Sequence, residues 1–235
     1  MNTYNNDNNS RTMSALDAYV SSVMRVVYTK MFLALLVTAA ASWFVVSNEA
    51  VTQMILGGKL SYWVLAFVEI GLVIAITSAI NRISQTTATL LFYLFAVVNG
   101  LTLSVIFFAY TMQSIAFTFL IAAGVFAAMS IYGYFTKNDL TRMGSFLFMA
   151  LIGLIIATVV NIFMHSTMLY YIVSFAGVAI FIGLTAWDTQ KIKQMAAMTP
   201  GESVSKLATI GALSLYLDFI NLFLYLLRFF GNSRD

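Results

Sequence analysis

Seven times along this chain of 235 residues a run of roughly 20 mostly apolar residues recurs. That is the length an α-helix needs to cross a hydrocarbon core of about 30 Å, at about 1.5 Å per residue. No other feature narrows the fold as far, because in lipid every backbone polar group must find its partner inside the protein. The runs are Val26–Val46, Leu60–Ile80, Ala88–Tyr110, Ile115–Phe135, Gly144–Met164, Met168–Trp187 and Leu207–Phe230. Composition agrees, with 61% hydrophobic and 9% charged residues, against about 45–50% and about 25% in soluble domains. So few charges cannot cover a water-facing surface, and a soluble globule is excluded.

The expectation is an all-α membrane protein, a single seven-helix transmembrane domain over residues 26–230 with its last helix central. A polar, disordered tail over residues 1–25 precedes it and a short tail over 231–235 follows. The first ten residues include five Asn and no apolar run, a composition that does not bury enough surface to fold. Arg25 and Lys30 before an apolar stretch ending near Ala39-Ala40-Ala41 imitate a cleavable leader. The run continues through Trp43 and Phe44 to Val46, however, so it is read as a retained span.

Zero Cys excludes disulfides, zinc-thiolate sites and a cysteine nucleophile. The net charge of +3 comes from dispersed Lys and Arg, which argues against a nucleic-acid partner and makes the cations topology signals. Arg11, Arg25, Lys30, Arg82, Lys137, Arg142, Lys191, Lys193 and Lys206 fall on one side, and Lys59, Arg228 and Arg234 on the other. That excess puts the N-terminus in the cytoplasm and the C-terminus outside; a six-span reading returns the C-terminus to the cytoplasm. The long connections are 47–59 and 188–206, and Pro200-Gly201 marks the second as the mobile one.

Ionisable residues within spans are costly and are functional candidates by default. They are Glu69 in the second span, Asp218 in the seventh, Asp188 at the end of the sixth and Arg82 just past the second. Arg228 is an interfacial anchor that snorkels. Gly211, Ser214, Asp218, Asn221 and Tyr225 recur at steps of three and four, a small and polar stripe on one helix face that must avoid lipid. It lines an ion path or glues helices together. Glu69 lies on a mostly apolar stripe. Asn99, Thr102, Thr158 and Asn161 read as interhelical hydrogen bonders, and His165 as a solvated histidine at the outer edge.

Depth raises a conflict. Asp218 lies 11 residues into its span, or about 16 Å, whereas Asp188 sits at the end of its own. Hydropathy alone therefore pairs Asp218 with Glu69, unless the sixth helix continues through Lys191 into a wet vestibule or the seventh starts later.

Two Asp on consecutive spans suit cation and proton handling or an aspartyl protease. The protease reading lacks its Gly-x-Gly-Asp signature, since Leu215-Tyr216-Leu217 precedes Asp218. No phosphate loop, metal cluster, Schiff-base lysine or nucleophile–base pair is present either, so the chain reads as a non-enzyme without a cofactor. An Asp pair offers up to about four oxygens to Ca²⁺ and shares a proton when its carboxyls meet, which makes it pH-dependent. Arg82 ends the second span on the side where Asp188 ends the sixth, and is expected to latch that end by an ion pair.

Three stretches carry a resemblance. Tyr132-Gly133-Tyr134-Phe135-Thr136-Lys137-Asn138-Asp139-Leu140, Leu184-Thr185-Ala186-Trp187-Asp188-Thr189-Gln190-Lys191 and Leu215-Tyr216-Leu217-Asp218-Phe219-Ile220-Asn221-Leu222-Phe223, with Asn99-Gly100-Leu101-Thr102, look like the Bax inhibitor-1 family of membrane proteins. The resemblance runs from about Lys30 to Arg228. It implies seven helices with the last one central, a pH-sensitive calcium leak, a di-aspartyl sensor at Asp188 and Asp218, and an Arg at Arg82. Trp187 departs from the Tyr usual in bacterial members, and the tail lacks the basic run of eukaryotic ones, which favours a bacterial cytoplasmic membrane. The leading expectation is a pH-gated calcium leak with Asp188 and Asp218 as gate and calcium ligands, Arg82 as their cation, and Glu69, Ser214 and Asn221 in the ion path. The expected partners are membrane lipid, calcium ions and protons. The alternatives are a non-conducting regulator of a membrane protease or another membrane protein, and a proton-coupled cation antiporter.

Overall fold

The computed structural model describes residues 2–79, 82–200, 203–232 and 234, with side chains from Met13 onward except those of 59, 60 and 62. All regular elements among the described residues are helices. They are α1 (Asn2–Val46), α2 (Glu49–Leu56), α3 (Lys59–Ala79), α4 (Gln85–Leu103), α5 (Ile106–Ala109), α6 (Met112–Phe135), α7 (Thr141–Met164), α8 (Thr167–Met198) and α9 (Val204–Phe230). Among the described residues, six stretches are long and apolar enough to cross a membrane: Met13–Val46, Gln85–Ala109, Met112–Phe135, Thr141–Met164, Thr167–Met198 and Val204–Phe230. The expected second span falls on α3, whose apolar part Trp63–Ala79 is shorter; its end at Ile80 lies outside the described residues.

Short polar side chains set the helix starts. Asn48, Ser84, Thr111 and Ser166 each accept a hydrogen bond from the backbone N–H three residues on, which satisfies a donor that the first turn leaves free. His165 stops α7 with φ at 50°. The third span is not one straight rod, since α4 ends at Leu103 and a single turn, α5, carries the chain onward.

Two expectations are corrected. The first concerns the tail over 1–25, expected to be disordered, where α1 is helical from Asn2 and Val20, Val23 and Met24 are buried in the core. Apolar residues at steps of three and one among polar neighbours give this segment one buried face, although its composition is polar overall. The second concerns the loop over 188–206, most of which is helix, since α8 continues to Met198. Ile192 and Ala196 are buried at i, i+4 while Lys191 stays exposed, an amphipathic pattern that averages to low hydropathy without breaking the helix. Gly201, half of the expected turn, lies outside the described residues, as do 233 and 235 of the C-terminal tail. The tail's Asn232 carbonyl accepts from Thr111 N–H, and Arg234 N–H donates to the Ala109 carbonyl.

α9 packs against α1, α4, α6 and α8, and 67% of its most apolar stretch is buried, the largest share among the six spans. Tyr216 sits at the middle of this packing with its ring edge-on to Phe92 and Phe95, at centroid distances of 5.9 and 5.7 Å. Such pairs favour the buried arrangement beyond their area alone.

Candidate functional site

Extension of α8 past Trp187 brings Asp188 opposite Asp218. Their carboxyls lie within hydrogen-bonding reach of each other, Asp218 being 5% exposed and Asp188 half-buried. The continued sixth helix is thus the resolution of the depth conflict. Asp218 Oδ2 is buried and faces no donor. Two ionised carboxyls offer no hydrogen between them, so this contact is a hydrogen bond only when one proton is present. The cation whose charge acts on both groups is Lys191. The expected Arg82 latch is not formed among the described residues: Arg82 lies beyond the end of α3, exposed, and Lys191, one turn after Asp188 on the same helix, is the cation that reaches the pair.

The three stretches behind the family resemblance meet here. Gln190, two residues after Asp188, accepts from Leu140 N–H at 2.9 Å and donates to the Asn138 carbonyl at 2.8 Å, tying the α6–α7 turn to α8. Lys193 Nζ donates to the Tyr134 carbonyl at 2.8 Å and lies 4.8 Å above the Tyr134 ring. Gly133 lets α6 approach the Ala186 carbonyl, and Gly144 lets α7 approach the Trp187 ring, with no room for a Cβ at either position. Lys191 Nζ stands 4.7 Å from the centre of the same Trp187 ring. Outside the membrane, the Asp139 carboxyl accepts from the Thr141 hydroxyl and amide at 2.6 and 2.9 Å, which hold it below the usual aspartate range.

Glu69 belongs to a different place. Its Oε2 accepts from Asn99 Nδ2 at 3.3 Å, its Oε1 has no partner, and it does not pair with Asp218, contrary to what hydropathy alone selects. Asn99 Oδ1 in turn accepts from Tyr216 OH at 2.9 Å, and Tyr216 OH lies 2.6 Å from Thr38 Oγ1. Glu69, Asn99, Thr102 and Asn221 line a cavity of about 410 Å³ between α3, α4 and α9. The polar stripe of α9 therefore divides: Asp218 and Tyr225 face α8, where Tyr225 stacks on Phe181 at 5.8 Å, whereas Asn221 lines the Glu69 cavity. Ser214 is half-buried and lines neither.

Asn99 forms the expected interhelical bonds. Thr102 reaches the Val98 carbonyl of its own helix and also Glu69 across to α3. Thr158 donates to the Leu154 carbonyl of its own helix and Asn161 Oδ1 accepts from Ser166 N–H at the start of α8, so the last two are corrections: a hydroxyl in a helix reaches its own i−4 carbonyl before a neighbour. His165 is exposed.

One site was missed. Lys30, counted as a topology signal, is 8% exposed and donates to Thr89 Oγ1 (2.8 Å), Ser205 Oγ (2.8 Å) and Thr209 Oγ1 (2.7 Å). Thr89 and Thr209 spend their own hydrogens on helix carbonyls, so they face the ammonium as acceptors. The signal available was its position, five residues inside an apolar run and subject to the same rule that singled out Glu69.

The family model described as inhibitor of apoptosis-promoting Bax1 matches residues 20–235. The inner membrane protein YbhL of Escherichia coli K12 is 44% identical over 220 residues, covering 92% of this chain and 94% of that protein. An uncharacterised protein of Borreliella burgdorferi is 46% identical over 211 residues, covering 89% and 91%, and protein RP147 of Rickettsia prowazekii is 45% identical over 210, covering 89% of each. With the family model matching residues 20–235 and the three motif stretches converging on one carboxyl pair, the chain is a multi-pass membrane protein of the Bax inhibitor-1 family.

Proposed function

We propose that this protein is a pH-sensitive calcium leak of the bacterial cytoplasmic membrane, with the Asp188–Asp218 pair as its gate and no enzymatic activity. One observation carries the reading: two carboxyls face each other between α8 and α9, one buried without a donor and the other half-buried on a helix that runs on toward the basic end. A shared proton closes the pair and holds α8 against α9. Ionisation of both carboxyls sets them in repulsion and leaves oxygens suited to Ca²⁺. Calcium is cargo here, and the chain needs no resident cofactor. Glu69 and Asn221, in the cavity of about 410 Å³, form a second polar station along α9.

The topology that fits is seven spans with α3 as the second and α9 central, the N-terminus cytoplasmic and the C-terminus outside. α3 is 21 residues long, about 31 Å of helix, with Phe67, Ile70 and Ile74 exposed as lipid-facing residues are.

Purified protein in liposomes loaded with a calcium dye tests the reading. Flux that varies between pH 5 and 8 is expected, and it becomes nearly pH-independent in Asp218→Asn and in Asp188→Asn to a similar degree, because the pair titrates as a unit. Flux no greater than in empty liposomes at every pH sinks the channel, and a co-purifying membrane protease then favours a non-conducting regulator. Flux driven by an imposed pH gradient makes it an antiporter. A profile flattened by Glu69→Gln and unaffected by Asp188→Asn moves the gate to the other cavity.

A further inference from the structure

α1 and α6 each pack on α8 and α9 and leave between them a groove of about 490 Å³, with Ser21, Arg25 and Tyr28 on the α1 wall and Phe126, Ser130 and Tyr134 on the α6 wall. It is separate from both carboxyl sites. Its polarity is graded along its length. One end holds Arg25, exposed and in no ion pair with a carboxylate among the described residues, together with Ser21, Tyr28 and Tyr134. The other end is Phe126, Ala127 and Ile131. Along α6 the lining runs from Phe126 to Phe135, a rise of about 13 Å, close to the depth of one leaflet of the hydrocarbon core. Ala127, Ile131 and Phe135 are exposed on its outer lip, so the groove opens sideways to lipid.

A second, independent observation points to an occupant. Ser130, in the wall of the groove, is 6% exposed and its Oγ is buried with no hydrogen-bond partner, although a helical serine ordinarily donates to its own i−4 carbonyl. A buried hydroxyl left unpaired is costly, and an oxygen of a bound molecule satisfies it.

We propose that this groove binds one anionic phospholipid of the surrounding bilayer, with the phosphate on Arg25, a glycerol or ester oxygen on Ser130 and an acyl chain over Phe126 and Ala127. A guanidinium forks onto phosphate with two parallel bonds, and Tyr at the interface suits the headgroup level. Charge and depth together select the ligand: a peptide has no reason to match one leaflet, and a zwitterionic lipid carries its own cation beside the phosphate.

The test is native mass spectrometry of the full chain in neutral detergent, titrated with phosphatidylglycerol, phosphatidylcholine or inorganic phosphate, with thermal unfolding in parallel. Phosphatidylglycerol is expected to bind and stabilise, while phosphatidylcholine and inorganic phosphate are not. Arg25→Gln is expected to weaken phosphatidylglycerol about tenfold, as loss of a charged bidentate contact does, and Arg25→Lys to restore part of it. Ala127→Trp, which fills the apolar end, is expected to abolish binding, and Arg142→Gln, exposed at the start of α7, to leave it unchanged. Equal binding of phosphatidylglycerol and phosphatidylcholine overturns the proposal. So does an Arg25→Gln protein that keeps the wild-type preference, or inorganic phosphate that stabilises as well as the lipid.

Discussion

Removing an acceptor from the Lys30 cage is expected to cost more than removing the lysine. In Thr209→Val the ammonium stays buried, 8% exposed, with one hydroxyl fewer, and a charged donor left short of a partner costs about 1.5–3 kcal/mol. In Lys30→Met the charge goes with its bonds. Its four hydrogen bonds, three to hydroxyls and one to the Ser205 carbonyl, are lost, but so is the desolvation of the ammonium, several kcal/mol for a buried ion, and Thr89 and Thr209 keep their helix-carbonyl bonds. That variant is expected within about 1 kcal/mol of wild type, as replacements of buried charges by apolar groups of similar volume often are. In the Lys30→Met background, Thr209→Val then costs only about 0.6 kcal/mol, the ordinary worth of an interhelical polar contact in membranes. A double-mutant cycle by reversible unfolding in mixed micelles reads the difference, a coupling of about 1–2 kcal/mol, equivalent to roughly 2–8 °C in midpoint. If Thr209→Val costs the same with and without Lys30, the ammonium is not what the hydroxyl serves, and the cage is an accident of packing.

Gly144→Val places side-chain atoms where the Trp187 ring stands, so α7 must move off α8 at a cost of about 1–3 kcal/mol; calorimetry or a micellar unfolding midpoint reads this, and an unchanged midpoint refutes the close approach. Arg82→Ala, at an exposed site away from both carboxyls, is expected to change stability by less than about 0.5 kcal/mol and to leave the pH profile of flux intact, whereas an altered profile returns Arg82 to the gate. Asp139 is held below its ordinary value of 3.8 by Thr141, so its support for the first turn of α7 is complete above that value and is lost as pH falls through the lower folded value. Amide exchange at Thr141 in the wild type is expected to rise in that acid range toward the level of Asp139→Ala, and a pH-independent difference between the two proteins removes the carboxylate from the explanation.

How much of this was legible in the sequence depends on which physical signal each feature leaves. Membrane insertion is an averaged property, so the apolar runs located the helices that lie in lipid. Helix ends are decided by single side chains and by which face is buried, and there hydropathy failed. It ended the sixth span at Trp187 because Asp188, Lys191 and Lys193 follow, although Ile192 and Ala196 keep that helix in the core through Met198. The same error set Asp188 too far from Asp218 and put Glu69 in its place. The motif stretches corrected that pairing because they record contact, which depth arithmetic does not. Lys30 escaped because counting cations by side treats each as solvated, and nothing in the count asks which hydroxyls lie across the bundle.

The bonds of α9 also say which side of it yields. Toward α1 and α4 it is held by directional bonds at two levels, Lys30 to Ser205 and Thr209 near its start and Tyr216 to Thr38 and Asn99 near its middle. Toward α6 its contacts are aromatic edges, Phe119 and Phe126 against Phe219 and Phe119 against Phe223, which slide at little cost because apolar burial has no direction. Toward α8 the polar contacts are the carboxyl pair and, nearer the end of α9, Arg228 Nη1 donating to Ser174 Oγ at 3.4 Å. α8 is in turn fastened to the α6–α7 turn through Gln190 and to α6 through Lys193. A gate that works by separating Asp188 from Asp218 therefore moves α6, α7 and α8 as one group against α1, α4 and α9 as another. The other hydrogen bonds that cross from α1 and α9 to α8 and its end, Arg228 to Ser174 and Tyr19 OH to the Thr199 carbonyl, lie on either side of Asp188 along α8, so the carboxyl pair is the crossing contact between them, and a shared proton is what that contact depends on.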